Sequence, residues 1–384
     1  MARFLFVVLP VESHLHAPVA IAQQLEAAGH EVAWVGRAAT CARWSVRTPC
    51  CSRPASATTG PTARPGRPRC AASGRGTCCP PTGSSATPPT RRSSGTSRTW
   101  WWPTSALAGA LAAHRRGLPW ATFCVGMLEL TPPTGEMPEF TGWVRAQVQR
   151  VWAMTDVPVD ETIDLRSPYL VIGLTTTALT GPAPLPPGCV LTGPALGRRP
   201  NAPAFAWEAW DPGRRHVLVT VGTMAEHLAA DFFRRMTAAT APLAGRVQVI
   251  LTAGPGLVPD PPPHVLVAPR VPVLELMPRL DALVSHGGLG TVSEALAHGV
   301  PVVVAPIRHD HPAVASQVCR AGAGLAVSFG SATPAELTAA LSAVLDEPAY
   351  RAGARRVGES FAAAGGARAA AAHLAALART APDA

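Results

Sequence analysis

The sequence of 384 residues contains no lysine and a single asparagine, Asn201, and only 5% of its residues are aromatic. Lysine and asparagine codons are rich in A, so their scarcity marks a GC-rich gene and says little about fold. Long hydrophobic runs are also missing. None approaches the roughly 20 apolar residues that cross a bilayer, so no transmembrane segment is expected. The opening MARFLFVVLPVE has an apolar run too short for a signal peptide, is broken by Glu12 and is followed by no small-residue cleavage site, so it reads as a strand. These features predict a soluble, cytoplasmic protein. At this length, with 47% hydrophobic residues, the chain can bury two domain cores.

Acidic residues are absent from residues 38–105, a stretch that holds ten of the 33 basic residues, all of them arginine. The remainder carries 23 basic against 24 acidic residues, so the formal net charge of +9 belongs to this one stretch. It also holds six of the nine cysteines (Cys41, Cys50, Cys51, Cys70, Cys78 and Cys79) and has no Leu, Ile, Phe, Met, Tyr, Asn, Gln or His. A disordered linker would tolerate the low hydrophobicity but is usually rich in Glu or Gln and poor in Cys. A disulfide framework needs export, and a zinc site needs paired spacing, neither of which is present. A nucleic-acid surface needs a fold to carry its arginines, and nothing here supplies one.

The genetic code offers a fourth reading. Apart from Val46, residues 38–105 are of types whose codons can carry C or G at the second base, as happens when a GC-rich gene is read one frame off. Tryptophan has one codon, TGG, so shifting SRTWWW back by one base turns the TGG run into GTG GTG, or Val-Val. With GC-rich third bases the text becomes Pro-Asp-Leu-Val-Val, running into PTSALAGALAAHRRGLPWATF. Residues 38–102 therefore read as an out-of-frame translation, with the true frame resuming near Pro103.

Outside that stretch the pattern is α/β. RFLFVVLP reads as a buried strand, SHLHAPVAIAQQLEAAGH as a helix stopped at Gly29, and EVAWVG as a second strand. WATFCVG continues the series, and residues 131–168 read as an acceptor-side insertion with one or two helices. Pro and Gly crowd residues 181–215 and mark a join. HVLVTVGT, VQVILTAG, HVLVAP, DALVSHGG and VPVVVAP then alternate with helical stretches, which predicts a parallel sheet. The expected organisation is an N-terminal domain over 1–195, a linker over 196–214, a C-terminal domain over 215–365 and a final helix over 366–384.

The sharpest chemical pattern is SHGGLGTVSEALAHGVPVVVAPIRHDH, residues 285–311. Its two glycines let backbone approach a phosphate, and a helix expected to begin near Thr291 would offer free N–H groups and the positive end of its dipole. A diphosphate fits His286, Gly287, Gly288 and Thr291, with Thr223 adding a hydroxyl from the neighbouring loop. Glu294 could accept hydrogen bonds from a ribose, and Asp310 from a sugar hydroxyl. GPGLVP at 254–259 lacks the lysine of a phosphate loop, and no GxGxxG directly follows the first strand, which argues against a nicotinamide enzyme. Trp207 and Trp210 read as linker packing, and His16 and Glu12 as loop or rim residues.

The 285–311 motif with its continuation PAVASQVCRAGAG, together with LPVESHLHAPVAIAQQLEAAGHEVAWVG and TGPA followed by VLVTVGT, resembles the nucleotide-sugar glycosyltransferases of the UDP-glycosyltransferase type, of the bacterial natural-product-tailoring kind. The resemblance implies the GT-B fold, two Rossmann-like doubly wound domains facing across a cleft. It implies an inverting transfer of a hexose or deoxyhexose from a nucleoside-diphosphate sugar, a dTDP- or UDP-sugar, to a hydroxyl of a small natural product. Neither cofactor nor metal is implied, and no nucleic-acid partner. By position it gives His286, Gly287, Gly288 and Thr291 to the diphosphate, Glu294 to the ribose, Val271 to the base through its backbone, and Asp310 with His311 to the sugar. His311 stands where the family usually has Gln, and Val314 where Asn is common, which leaves the sugar open.

The same resemblance gives His14 the role of catalytic base, oriented in the family by an Asp that follows the Pro-Asp-Leu-Val-Val strand. That place falls at the Trp102/Pro103 join, where no Asp exists. A donor-binding remnant without turnover therefore stands beside the transferase, and an epimerase of similar fold behind both. Resequencing codons 35–105 tests the frame: a neighbouring frame is expected to give continuous α/β text with Pro-Asp-Leu-Val-Val and an Asp near position 103. If no frame does so, residues 38–105 are a genuine insertion.

Overall fold

The computed structural model describes residues 1–8, 12–36, 99–103, 107–124, 166–199 apart from 183, 202–222 and 228–380, with isolated positions at 130, 146, 149, 150 and 153. Most of the stretch read as out of frame, nearly all of the 131–168 insertion, and Thr223 lie outside the described residues.

In the N-terminal domain β1 (Arg3–Val7) runs parallel between β2 (Glu31–Val35) and β3 (Thr99–Pro103). The tryptophan run thus lies in a strand, paired with β1 from Arg3↔Thr99 to Val7↔Pro103. The β1 to β2 crossover is the helix His16–Ala27, which turns Val19, Ile21 and Leu25 onto Phe4 and Phe6 of β1. A second parallel ladder contains β4 (Ala121–Cys124), β5 (Leu170–Gly173) and β6 (Cys189–Leu191).

The C-terminal domain is built on β7 (Arg215–Thr220), β8 (Val247–Thr252), β9 (Val265–Ala268), β10 (Ala282–Ser285), β11 (Val302–Val304) and β12 (Gly324–Ala326). They form one parallel sheet in the order β12-β11-β10-β7-β8-β9. Helices on both faces exclude water, which explains the unbroken Val/Leu/Ile runs; Val217, Leu218, Val219, Val249, Ile250 and Leu251 are all fully buried. The strand order reverses between β7 and β10. At that switch point the two strands' following connections diverge to opposite faces, which opens a crevice at their carboxyl ends.

The chain ends in the helices Pro348–Ala364 and Gly366–Thr380, separated by Gly365 at φ 86°, a left-handed turn that glycine adopts without a Cβ penalty. The stretch Pro348–Arg379 has the length and apolar content of a bilayer span, contrary to what the sequence reading anticipated. The cause is its alanine content, and its Val357, Phe361, Ala370 and Leu374 are buried in the protein core. Val357 and Phe361 join the C-terminal core, whereas Ala367, Ala370, Ala371, Leu374 and Ala378 pack with Ile21 and Leu25 of the N-terminal domain. Cross-domain hydrogen bonds accompany this packing: Ser360 Oγ donates to Thr176 Oγ1 at 2.8 Å, and the Gly366 N–H to the Thr192 carbonyl at 2.7 Å.

Leu374→Ala is expected to destabilise the protein by about 2–5 kcal/mol, because it empties a site shared by the last helix and the first domain. Urea denaturation measures it. A loss below about 0.5 kcal/mol, the size of a surface substitution, would show that this helix is not part of that core.

Candidate active site

β10 ends at Ser285 and the chain turns through His286, Gly287 and Gly288 into the helix Leu289–Ala297. That helix starts two residues earlier than the sequence reading placed it. Gly288 takes the extended N-cap conformation, and the apolar Leu289 is buried as the first helical residue. Thr291 consequently lies in the first turn. The N-cap glycine has no side chain to cap this end, so among the described residues no side-chain cap bond covers its first N–H groups and the positive end of its dipole.

The His286 ring fills the turn. A Cβ on Gly222, just beyond β7, would lie 2.6 Å from its Cε1, and one on Gly288 would lie 2.8 Å from its Nε2. Gly287, at φ 94°, completes a turn that an L side chain would strain. Burial pushes the His286 imidazole down to about 4, the nearby His311 ring adds to the shift, and the Thr220 backbone opposes it. The two rings meet edge to face at 4.7 Å. His311 is itself lowered by burial, with Asp310 opposing and His309 and Arg308 adding, and its Nδ1 accepts the Arg308 N–H at 3.3 Å. Near neutral pH His286 is therefore a neutral imidazole, able to donate one N–H but carrying no charge.

From the N-terminal domain, His14 closes a short 3-10 turn, Glu12–His14, at the carboxyl end of β1. Burial lowers its pKa, and the Asp310 carboxylate across the crevice pulls the other way. The largest cause is desolvation. His14 Nδ1 is buried with no hydrogen-bond partner among the described residues. His16, anticipated at the rim, is substantially buried and held down at about 3 by desolvation and by the Arg199 and Arg270 guanidiniums. It is the first residue of the helix His16–Ala27.

Glu294, whose side chain is 6% exposed, forms an ion pair and hydrogen bond with Arg199 of the linker. Burial pushes the Glu294 carboxyl up and the Arg199 guanidinium pulls against it. Arg199 and Arg270 were not picked out from sequence. Arg270 adjoins Val271, whereas Arg199 stands 95 residues from its partner, and only the charged GRRP within an otherwise apolar linker hints at it. Val271 is buried and its carbonyl accepts the Val273 N–H at 2.9 Å.

A cavity of about 620 Å³ lined by Trp207, Trp210, Glu275, Pro278 and Arg279 contains none of these residues. Its tryptophans serve packing: Trp210 stacks on His216 with ring centroids 3.6 Å apart, and Arg279 sits 4.8 Å over Trp207. Among the described residues no group of three or more His, Cys, Asp or Glu side chains is arranged to hold a metal.

Two parallel α/β domains with a glycine turn at the switch point of the second define a GT-B protein. Its relatives narrow the class. Residues 243–377 match the family described as erythromycin biosynthesis protein CIII-like, C-terminal domain. The 4'-demethylrebeccamycin synthase of Lentzea aerocolonigenes is 36% identical over 206 residues, 52% of this chain and 48% of that protein. The chain thus matches about half the length of that curated relative. Among solved structures, the glycotransferase of kitacinnamycin superposes with a TM-score of 0.72 at 20% identity over 98% of both chains. Glycosyltransferase VinC in complex with DTDP gives 0.70 at 19% identity over 99% of this chain and 100% of that one. Residues 243–377 are thus similar to that C-terminal domain family, and the chain shares the fold of these two glycosyltransferase structures.

The depressed His286 pKa has a consequence for stability. The unfolded histidine binds a proton below about 6.5 while the folded one resists until about 4, so stability falls as pH drops through that window. Denaturant midpoints between pH 7 and 4 are expected to show a shallower acid limb in His286→Asn than in the wild type. Equal slopes would mean that His286 is not held neutral by burial.

Proposed function

We propose that the chain is an inverting glycosyltransferase that moves a hexose or deoxyhexose from a dTDP- or UDP-sugar to a hydroxyl of a small natural product. The observation that carries this reading is the uncapped helix start behind the His286–Gly288 turn, opposite His14 across the crevice. The diphosphate lies against the first N–H groups of that helix, with the neutral His286 ring and Thr291 as further donors; Thr223, also assigned to it from the sequence, lies outside the described residues. Glu294 accepts from the ribose, the Val271 backbone meets the base, and Asp310 and His311 contact the sugar.

In the reaction the His14 ring takes the acceptor's O–H proton. The acceptor oxygen bonds to the anomeric carbon from the face opposite the diphosphate. The bond between that carbon and the diphosphate oxygen breaks with its electron pair on the leaving group, so the configuration inverts. The helix N-terminus stabilises the charge that grows there. No metal or cofactor enters the scheme, and a cytoplasmic setting suits substrates of this kind.

That His14 Nδ1 has no partner among the described residues favours a second reading. A base whose other nitrogen has no carboxylate partner is neither oriented nor stabilised as it takes up charge. The chain as written is then a donor-binding protein with little turnover, and the out-of-frame reading of 38–102 supplies the cause.

Two measurements separate these readings. Calorimetric titration of the chain with dTDP and UDP is expected to give saturable binding that Gly288→Val weakens by displacing the His286 ring; undiminished binding in that variant would remove the turn from the site. Restoring the neighbouring frame over 38–102 is expected to raise turnover, and His14→Ala in that restored chain to lower it about 10²–10⁴-fold without changing donor affinity. Full turnover by a preparation whose mass matches the present sequence would remove the impaired reading.

A further inference from the structure

Arg199 is attached to one domain and reaches the other. Two residues before it, Gly197 is pressed against the first helix so closely that a Cβ there would lie 2.6 Å from Ala20 Cβ, which fixes the linker backbone to the N-terminal domain. The side chain then crosses to Glu294 of the C-terminal domain, where the pair is largely closed off, with side chains 18% and 6% exposed. A buried carboxylate left without a partner is strongly disfavoured, so Glu294 does not release Arg199 unless another donor takes its place. The free hydroxyls of the nucleotide's pentose supply that replacement, two on the ribose of UDP and the single 3′-hydroxyl on the deoxyribose of dTDP.

The released guanidinium has the same need for a partner. Arg199 and Arg270 both act electrostatically on His16, so this side of the crevice carries two positive charges around one buried neutral imidazole. An arginine fork pairs with phosphate oxygens in a bidentate manner, and a diphosphate brings at least two negative charges. A nucleoside without phosphate offers the guanidinium nothing.

We propose that Arg199 is a donor-binding residue that exchanges partners, bound to Glu294 in the donor-free chain and transferred to the diphosphate when the ribose takes Glu294. Donor entry thereby acts on a residue whose backbone belongs to the N-terminal domain, so the exchange ties donor occupancy to the spacing of the two domains. The proposal rests on Glu294 as the ribose acceptor. It adds that a second residue competes for that carboxylate and then discriminates nucleoside diphosphate from nucleoside.

The test compares dTDP and UDP with thymidine and uridine by calorimetry or competition, using the full chain, Arg199→Met, Arg199→Lys and Glu294→Gln. Arg199→Met is expected to weaken the diphosphates by about tenfold or more, the usual value of a charge-assisted hydrogen bond, while nucleoside affinity stays level or rises because the competitor is gone. Arg199→Lys, which keeps the charge without the fork, is expected to fall between the wild type and Arg199→Met for the diphosphates and to leave the nucleosides unweakened. It serves alone if Arg199→Met does not fold. Equal weakening of diphosphate and nucleoside, or no change in either, would overturn the exchange. Undiminished nucleoside binding by Glu294→Gln would instead remove the ribose assignment on which it rests.

Discussion

Space for one imidazole governs the crevice of the C-terminal domain. The His286 ring lies between the backbones of residues 222 and 288, and a single methyl group at either position would overlap it. Because both positions are glycine, the connection after β7 and the start of the 289–297 helix approach to within one ring's thickness. Because the ring is buried between them, it is uncharged near neutral pH. A cation at this point would add charge but would require hydration that the turn excludes. The arrangement instead presents neutral donors and a helix dipole, which favour an anion with little reorganisation.

The two domains meet through two different kinds of contact. At the end of the chain, apolar packing dominates: the last helix leaves the C-terminal core at Gly365 and completes the core of the first domain with Ala370 and Leu374. At the crevice the contacts are electrostatic. Asp310 acts on His14, and Arg199 reaches from the linker to Glu294. The apolar contact is indifferent to a charged ligand, whereas the electrostatic ones involve the groups a donor would address.

Much of the C-terminal domain was legible because a parallel sheet buried on both faces leaves continuous runs such as HVLVTV and VQVILT, and because glycines flank the β10 turn. The edge of the helix was less legible. Gly-Gly-Leu-Gly reads as loop by composition, and only the burial of Leu289 brings it inside the helix. His16 looked peripheral, since a histidine beside a turn is usually solvated and nothing local announces the two distant arginines that act on it. The Arg199–Glu294 pair joins segments far apart in sequence, and its existence depends on the linker's path. Trp210 stacks on His216 and Trp207 lies under the Arg279 guanidinium, in keeping with their reading as packing residues.

Hydrogen–deuterium exchange of the chain with and without dTDP or UDP tests most directly that the β10 turn receives the nucleoside diphosphate. Added protection is expected at the amides of residues 289–291, where the helix start offers N–H groups to the phosphates. Binding that left those amides exchanging at their free rate, with protection confined to other parts of the chain, would contradict it.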